Sequence, residues 1–154
     1  MLARDLAEDF PVVTLRTSAF EASQLLVDRA LPGLLVVDDD GAPLVILPGS
    51  QVLRFALPEY VEQDRTIARM YGESDADQFC AALAGRTVAE LMPHRDYLPR
   101  SEQDRPIVKP DANLVEIAAQ MARQHSPVVA VVEGRRILGV ITVHRLLGAG
   151  LAGL

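Results

Sequence analysis

Thr142 and Arg145 stand three residues apart at the start of a helical run, where their side chains could do binding chemistry. A hydroxyl and a guanidinium beside the free N–H groups of a helix N-terminus can receive a phosphate, because the dipole there favours an anion. The plainer reading makes Thr142 a helix cap and leaves Arg145 in solvent. Arg135 and Arg136 could add positive charge nearby, although adjacent charges on a turn are equally at home in water. His94, His125 and His144 show no spacing of three or four residues on one helix face, so they predict no metal site. His125 closes an apolar stripe and is expected at a helix terminus or core edge. Cys80 falls on the apolar side of its segment and is expected as a buried small hydrophobe. As a nucleophile it would need an activating base, and none is visible. Asp38-Asp39-Asp40, followed by Gly41, reads as a polar hairpin turn rather than a cation site. No phosphate-cradling glycine motif is present. These readings predict no catalytic residue, no metal ligand and no enzyme.

The elements that must position these residues come twice. Val13 to Asp38 lies over Val108 to Glu133 without a gap, at an offset of 95. Val13, Glu21, Pro32, Val36 and Val37 fall on Val108, Glu116, Pro127, Val131 and Val132; after a one-residue slip, Leu44 and Leu53 fall on Leu138 and Leu147. The punctuation repeats too: Ser18 with Glu21, and Asn113 with Glu116, each place a capping residue three before a Glu. Each half reads as strand, helix, strand, strand, helix. In the first, a short entry strand (Pro11 to Leu15) precedes a helix from Ala19 that Pro32-Gly33 ends. Leu34 to Val37 and Leu44 to Leu47 are then strands, and a helix runs from Gln51 to about Ala56. In the second, Leu114, Ile117, Ala118, Met121, Ala122 and His125 form one helical stripe. Val128 to Val132 and Ile137 to Ile141 are strands, and Thr142 caps the closing helix.

Between the halves, Pro58 to Tyr71 and Ser74 to Ala84 are predicted helical, with Ser74 as a cap and Gly85 as the residue after the second. Thr87 with Glu90 predicts another capping box. Val88 to Met92 resembles Ala3 to Ala7 at an offset of 85, so each repeat begins with a short lead-in helix. The difference in offsets leaves an extra stretch around His94 to Arg105, expected as an exposed loop. Boundaries follow: repeat 1 over 1–57, a helical connector over 58–85 and repeat 2 over 86–154. The C-terminal Gly148 to Leu154 is expected to fray or to serve as a contact surface.

Composition narrows the setting. A hydrophobic fraction of 49% with 23% charged residues is ordinary for a globular protein, and with aromatics at 5% the core must come from Val, Leu, Ile and Ala. A net charge of −6 argues against a nucleic-acid groove. The single Cys80 excludes an internal disulfide, and no apolar run reaches the length of a membrane span. A cytoplasmic protein without membrane insertion is expected. Its several apolar helix faces predict a homodimer.

The segment Arg135 to Leu147, RRILGVITVHRLL, resembles the end of a CBS domain, and two such halves resemble a tandem CBS pair, or Bateman module. The resemblance implies an α+β fold of two βαββα repeats packed sheet to sheet about a pseudo-two-fold axis. It also implies adenosine-type ligands (AMP, ATP or S-adenosylmethionine), flat dimers and regulation of a separate enzyme or transporter. Ligand-binding members carry Gly, two apolar residues, Thr or Ser, two more residues and Asp, with the hydroxyl on phosphate and the Asp on the ribose. Gly139 and Thr142 match this pattern, while Arg145 takes the Asp position and offers only donors. Val45, Pro48 and Gln51 occupy the same places in repeat 1, which implies an empty first cleft and leaves the second open. Leu35 and Ala130 stand where the family often has Pro before Val. Two functions follow as expectations: a stand-alone regulatory or sensory module with its candidate ligand site at Gly139, Thr142 and Arg145, or a dimeric interaction scaffold that has lost nucleotide binding.

Overall fold

The run Leu34 to Val37 has no polar face to turn to water, and in the computed structural model of this chain it is covered on both sides. The structure describes residues 1–76, 78–92, 101 and 104–154. The first half contains α1 (Ala3–Leu6), β1 (Val12–Thr14), α2 (Ala19–Asp28), β2 (Gly33–Val37), β3 (Pro43–Pro48) and α3 (Gly49–Ala56). The connector holds α4 (Glu59–Gln63), α5 (Arg65–Arg69), α6 (Glu73–Ala76) and a 3-10 turn (Phe79–Leu83). The second half contains α7 (Val88–Leu91), β4 (Ile107–Val108), α8 (Leu114–Gln124), β5 (Val128–Glu133), β6 (Arg136–Thr142) and α9 (Val143–Ala152). Most of the extra stretch read as a loop, His94 included, lies outside the described residues.

The two halves build the same mixed sheet. β1 runs parallel to β2 and β3 antiparallel to it; β4, β5 and β6 repeat that order. Val13 faces Val36 across the first ladder and Val108 faces Val131 across the second, so the offset of 95 holds at the level of pairing. Strand alternation then sorts the side chains. Leu34 and Val36 join the helices of their own half, as Val129 and Val131 do in theirs. Leu35 and Val37 point the other way and meet Val128, Ala130 and Val140 in a core between the sheets. A strand buried on both faces reads as a continuous apolar run. This is the α+β, sheet-to-sheet arrangement expected of the fold.

The lead-in helices cross over. Ala3 and Leu6 of α1 lie in the core of the second half, and Val88 and Leu91 of α7 lie in the core of the first. The crossing is symmetric in its backbone bonds. Ala3 N donates to Ala112 O at 2.8 Å and Arg4 N to Pro110 O at 3.0 Å, while Val88 N donates to Thr17 O at 2.8 Å and Ala89 N to Leu15 O at 3.0 Å. Burying one Leu side chain stabilises by about 1.5–3 kcal/mol, so each lead-in helix binds its half of the chain to the other.

Helix ends also repeat, with corrections. Ser18 Oγ accepts from Glu21 N, and Asn113 makes a full capping box with Glu116. Thr87 makes no side-chain cap, so the box predicted there does not form. α2 stops at Asp28, before Pro32, because Ala30 turns left-handed at φ 48°; His125 does the same after α8 at φ 50°. Leu31 N reaches back to Leu26 O and Ser126 N to Met121 O, closing both ends in Schellman fashion without a glycine. In α8 the buried face is Ile117, Gln120 and Met121, while Ala118 and Ala122 of the predicted stripe are exposed. The connector is more broken than predicted: Asp64 divides its first part, and Ser74 lies inside α6 rather than capping it. Gly85 does follow the 3-10 turn with φ 71°. Gly148 to Ala152 continue α9 rather than fraying, and none of that helix is fully buried.

Candidate functional site

Gly139, Thr142 and Arg145 come together where β6 runs into α9. Thr142 Oγ1 accepts from Arg145 N at 3.2 Å, so the hydroxyl caps the helix. Gly139 sits under the segment that leaves α1: a Cβ there would lie 2.7 Å from Glu8 O. That approach lets Glu8 and Val140 exchange two backbone bonds of 2.9 Å. Arg145 Nε then meets the Glu8 carboxylate at 3.5 Å, on the exposed rim of the corner. Each of the three residues thus already has a structural task.

In the first repeat, Pro48 precedes α3 and makes no side-chain cap, whereas Gln51 Nε2 donates to Leu91 O at 3.3 Å, the end of α7. The residue in the family's Asp position therefore reaches the end of the exchanged lead-in helix in the first half and the segment leaving it in the second. Around Gln51 the surface opens into a cleft of about 530 Å³. Pro48, Gln51 and Arg54 form one wall, and Arg123, Gln124 and Ser126 of the second half form the other. Arg54 pairs with Glu62 of α4 at 3.0 Å, and Arg123 donates to the buried Gln120 amide. Asp104 is the carboxylate among the described lining residues, and Arg123, whose side-chain partner is the neutral Gln120 amide, is the guanidinium best placed to meet an anion.

A larger, more open cleft of about 1110 Å³ lies at the two hairpins. Its cations (Arg4, Arg105, Lys109, Arg135) are matched by carboxylates (Asp38, Asp40, Asp111, Glu133), so it has no net preference for an anion. Arg105 Nη1 bonds Asp38 Oδ2 at 3.1 Å and Pro43 O at 3.0 Å. Asp38 Oδ1 accepts from Ala42 N and Asp40 N at 3.0 Å each. The Ala42 amide above all, with help from Arg105 and the Asp40 amide, holds this carboxyl below the ordinary value of 3.8 against a smaller opposing effect of burial. Asp38 is a hairpin residue, as read from sequence, with an ion pair that sequence did not suggest.

The remaining candidates separate. His125 is an exposed helix terminus on the rim of the smaller cleft. Cys80 is exposed on the 3-10 turn, not buried, because that segment is not the regular helix that its apolar spacing predicts. Among the described residues no group of His, Cys, Asp or Glu could hold a metal, and no helix is long and apolar enough to cross a membrane. Sequence reasoning missed Arg54, Arg123 and Gln124: they lie on the polar sides of their helices, where nothing in the spacing distinguishes a cleft wall from solvent.

Residues 88–152 match the CBS domain family model. A search of curated proteins gives no match. Among solved structures, a CBS domain-containing protein of unknown function from Kribbella flavida is 47% identical, covers 98% of this chain and 99% of its own, and superposes with a TM-score of 0.79. CBSX2, a CBS-pair protein of Arabidopsis thaliana solved with AMP, is 21% identical over 98% of this chain and 96% of its own, with a TM-score of 0.62. A CBS domain pair solved with 5′-methylthioadenosine and S-adenosyl-L-methionine is 17% identical over 100% and 98%, with a TM-score of 0.60. The repeated mixed sheets, the exchanged lead-in helices and the 47% identity of the Kribbella protein over 98% of the chain lead to one conclusion: this chain belongs to the CBS-domain proteins, as a tandem CBS pair.

Proposed function

We propose that this chain is a non-catalytic regulatory module that takes an adenosine-type nucleotide between its repeats and reports occupancy to a separate protein. The observation that carries this reading is the cleft of about 530 Å³ beside Gln51. Its volume falls in the roughly 300–1,000 Å³ range of small-molecule sites. Both repeats wall it, so a ligand there would contact both and shift their arrangement by its differential affinity for the two states. Arg54 and Arg123 suit a phosphate better than the usual ribose-binding carboxylate would, so the mode is phosphate-dominated. The solved relatives holding AMP or S-adenosylmethionine with 5′-methylthioadenosine make those compounds, with ATP, the first to try. A thermal-shift panel tests the reading. A ligand at about 100 times its dissociation constant adds roughly 2.7 kcal/mol, a rise of several degrees at this size. A rise lost in Arg123→Ala but kept in Thr142→Val places the ligand in the first-repeat cleft; the reverse pattern places it at Gly139, Thr142 and Arg145. No rise with any compound sinks the nucleotide reading.

The second reading is a ligand-free interaction module. It is favoured by α9, where Leu147 and Leu151 are 58% and 65% exposed on a helix with no buried residue. That face suits a homodimer. Light scattering of the wild type and of Leu147→Glu/Leu151→Glu tests it: a dimer that the charges dissociate supports the reading, and a monomeric wild type removes it.

A further inference from the structure

We infer that Arg105 is a latch between the repeats, tying the first-repeat hairpin to the cleft-lining end of α8. Its guanidinium grips repeat 1 through Asp38 Oδ2 at 3.1 Å and Pro43 O at 3.0 Å. Its own carbonyl is gripped from α8 by Gln120 Nε2 at 3.0 Å and Gln124 Nε2 at 2.9 Å. Gln120 is the buried polar residue among those described, and its amide oxygen accepts from Arg123, which faces the smaller cleft. Gln124 also faces that cleft and holds Asp104 O at 2.8 Å. The next residue, Pro106, accepts from Ala130 N at 2.7 Å, at the entry to the second sheet. One residue thus stands between the two clefts, with its side chain on the larger and its neighbours on the smaller.

The latch exists on one side of the molecule. The positions that the offset relates to Arg105, Asp38 and Gln120 are Phe10, Glu133 and Leu25. Phe10 packs against the core between the sheets, Glu133 is exposed, and Leu25 has no amide to offer. An anion that draws Arg123 away from Gln120 would disturb the chain Arg123, Gln120, Arg105, Asp38. This part rests on the proposed nucleotide reading; the latch itself does not.

The test compares the wild type with Arg105→Met, Asp38→Asn and the double variant, by urea unfolding and amide hydrogen exchange. Free energies of the single changes that fail to add in the double variant support the latch, and additive ones overturn it. In Arg105→Met the Ala130 amide is expected to exchange about tenfold faster, with the amides of 134–136 unchanged. Faster exchange confined to 38–43 overturns the latch. If Arg105→Met fails to fold, Asp38→Asn must give the same direction of change at Ala130, or the latch is refuted. AMP is then titrated: where the wild type binds it, Arg105→Met must alter the dissociation constant by about fivefold, and an equal constant overturns the coupling. If the wild type does not bind AMP, that counts against the nucleotide reading alone, and exchange still decides the latch.

Discussion

Gly139, Thr142 and Arg145 in the second repeat and Val45, Pro48 and Gln51 in the first occupy equivalent places, yet their surroundings differ. In the second, the chain leaving α1 folds down onto Gly139, pairs Glu8 with Val140 and sets the Glu8 carboxylate against Arg145. In the first, Val45 takes the glycine's place, Gln51 reaches Leu91 O instead, and a cleft opens toward Arg123. Retaining motif residues therefore does not keep a corner open. The family's glycine and threonine here serve a backbone crossing and a helix cap, and the cleft of about 530 Å³ lies beside the repeat that lost both. The reason is local: a glycine permits backbone to approach, and approach fills space.

Several changes would break or sharpen this comparison. The largest effects are expected at the shared feature, the exchanged helices. Leu6→Ala and Leu91→Ala should each cost about 2–5 kcal/mol in urea unfolding. Hydrogen exchange should rise in α8 for Leu6→Ala and in α2 for Leu91→Ala; loss confined to the residue's own half would contradict the crossing. Next comes the first difference. Gly139→Ala drives a Cβ against Glu8 O and should cost about 1–3 kcal/mol, whereas Val45→Ala should leave the Glu8–Val140 pairing intact. Equal loss of that pairing in both variants would erase the distinction between the corners. Thr142→Val removes a cap and should cost about 1 kcal/mol, an effect with no counterpart at Pro48. Urea midpoints measured with and without nucleotide separate this cost from any ligand contact.

Smaller effects test the shared punctuation and the one-sided hairpin pair. Ala30→Gly and His125→Gly relieve left-handed strain of about 1–2 kcal/mol at some entropic cost, so each should raise stability by about 0.5 kcal/mol. Destabilisation at either site would show that its side chain matters more than its backbone. The smallest expected effect concerns pH. Because folding lowers the Asp38 carboxyl below 3.8, its contribution is complete above that value and lost as pH falls through the folded value. The difference in Tm between pH 7 and pH 3 (roughly the window this implies) should therefore shrink in Asp38→Asn. An unchanged pH response in Asp38→Asn would remove the hairpin's electrostatic asymmetry.

Much of the fold was legible because periodicity reports burial directly. Leu34 to Val37 and Val128 to Val132 read as apolar strands, the turn before Gly41 reads as a hairpin, and Ser18, Asn113 and Thr142 read as helix starts that they do cap. Misreadings occurred where local pattern was weak. The apolar spacing around Cys80 predicts a helix face where the chain forms a 3-10 turn, and Thr87 has a capping sequence without the geometry. Arg54 and Arg123 were illegible as cleft walls, since a polar residue facing a groove and one facing bulk water have the same spacing.

The sequence by itself determined the repeat and the order of strands and helices within it, because both follow from side-chain alternation and helical period over short stretches of chain, and the segment Arg135 to Leu147 carried the resemblance to the family. Only the tertiary structure decided that α1 and α7 trade places, that Glu8 settles on Gly139, that a cleft stays open beside Gln51, and that Arg105 meets Asp38. Those contacts join residues 40 to 131 positions apart. At such separations, what meets what is set by how two finished sheets pack and which loop reaches across them.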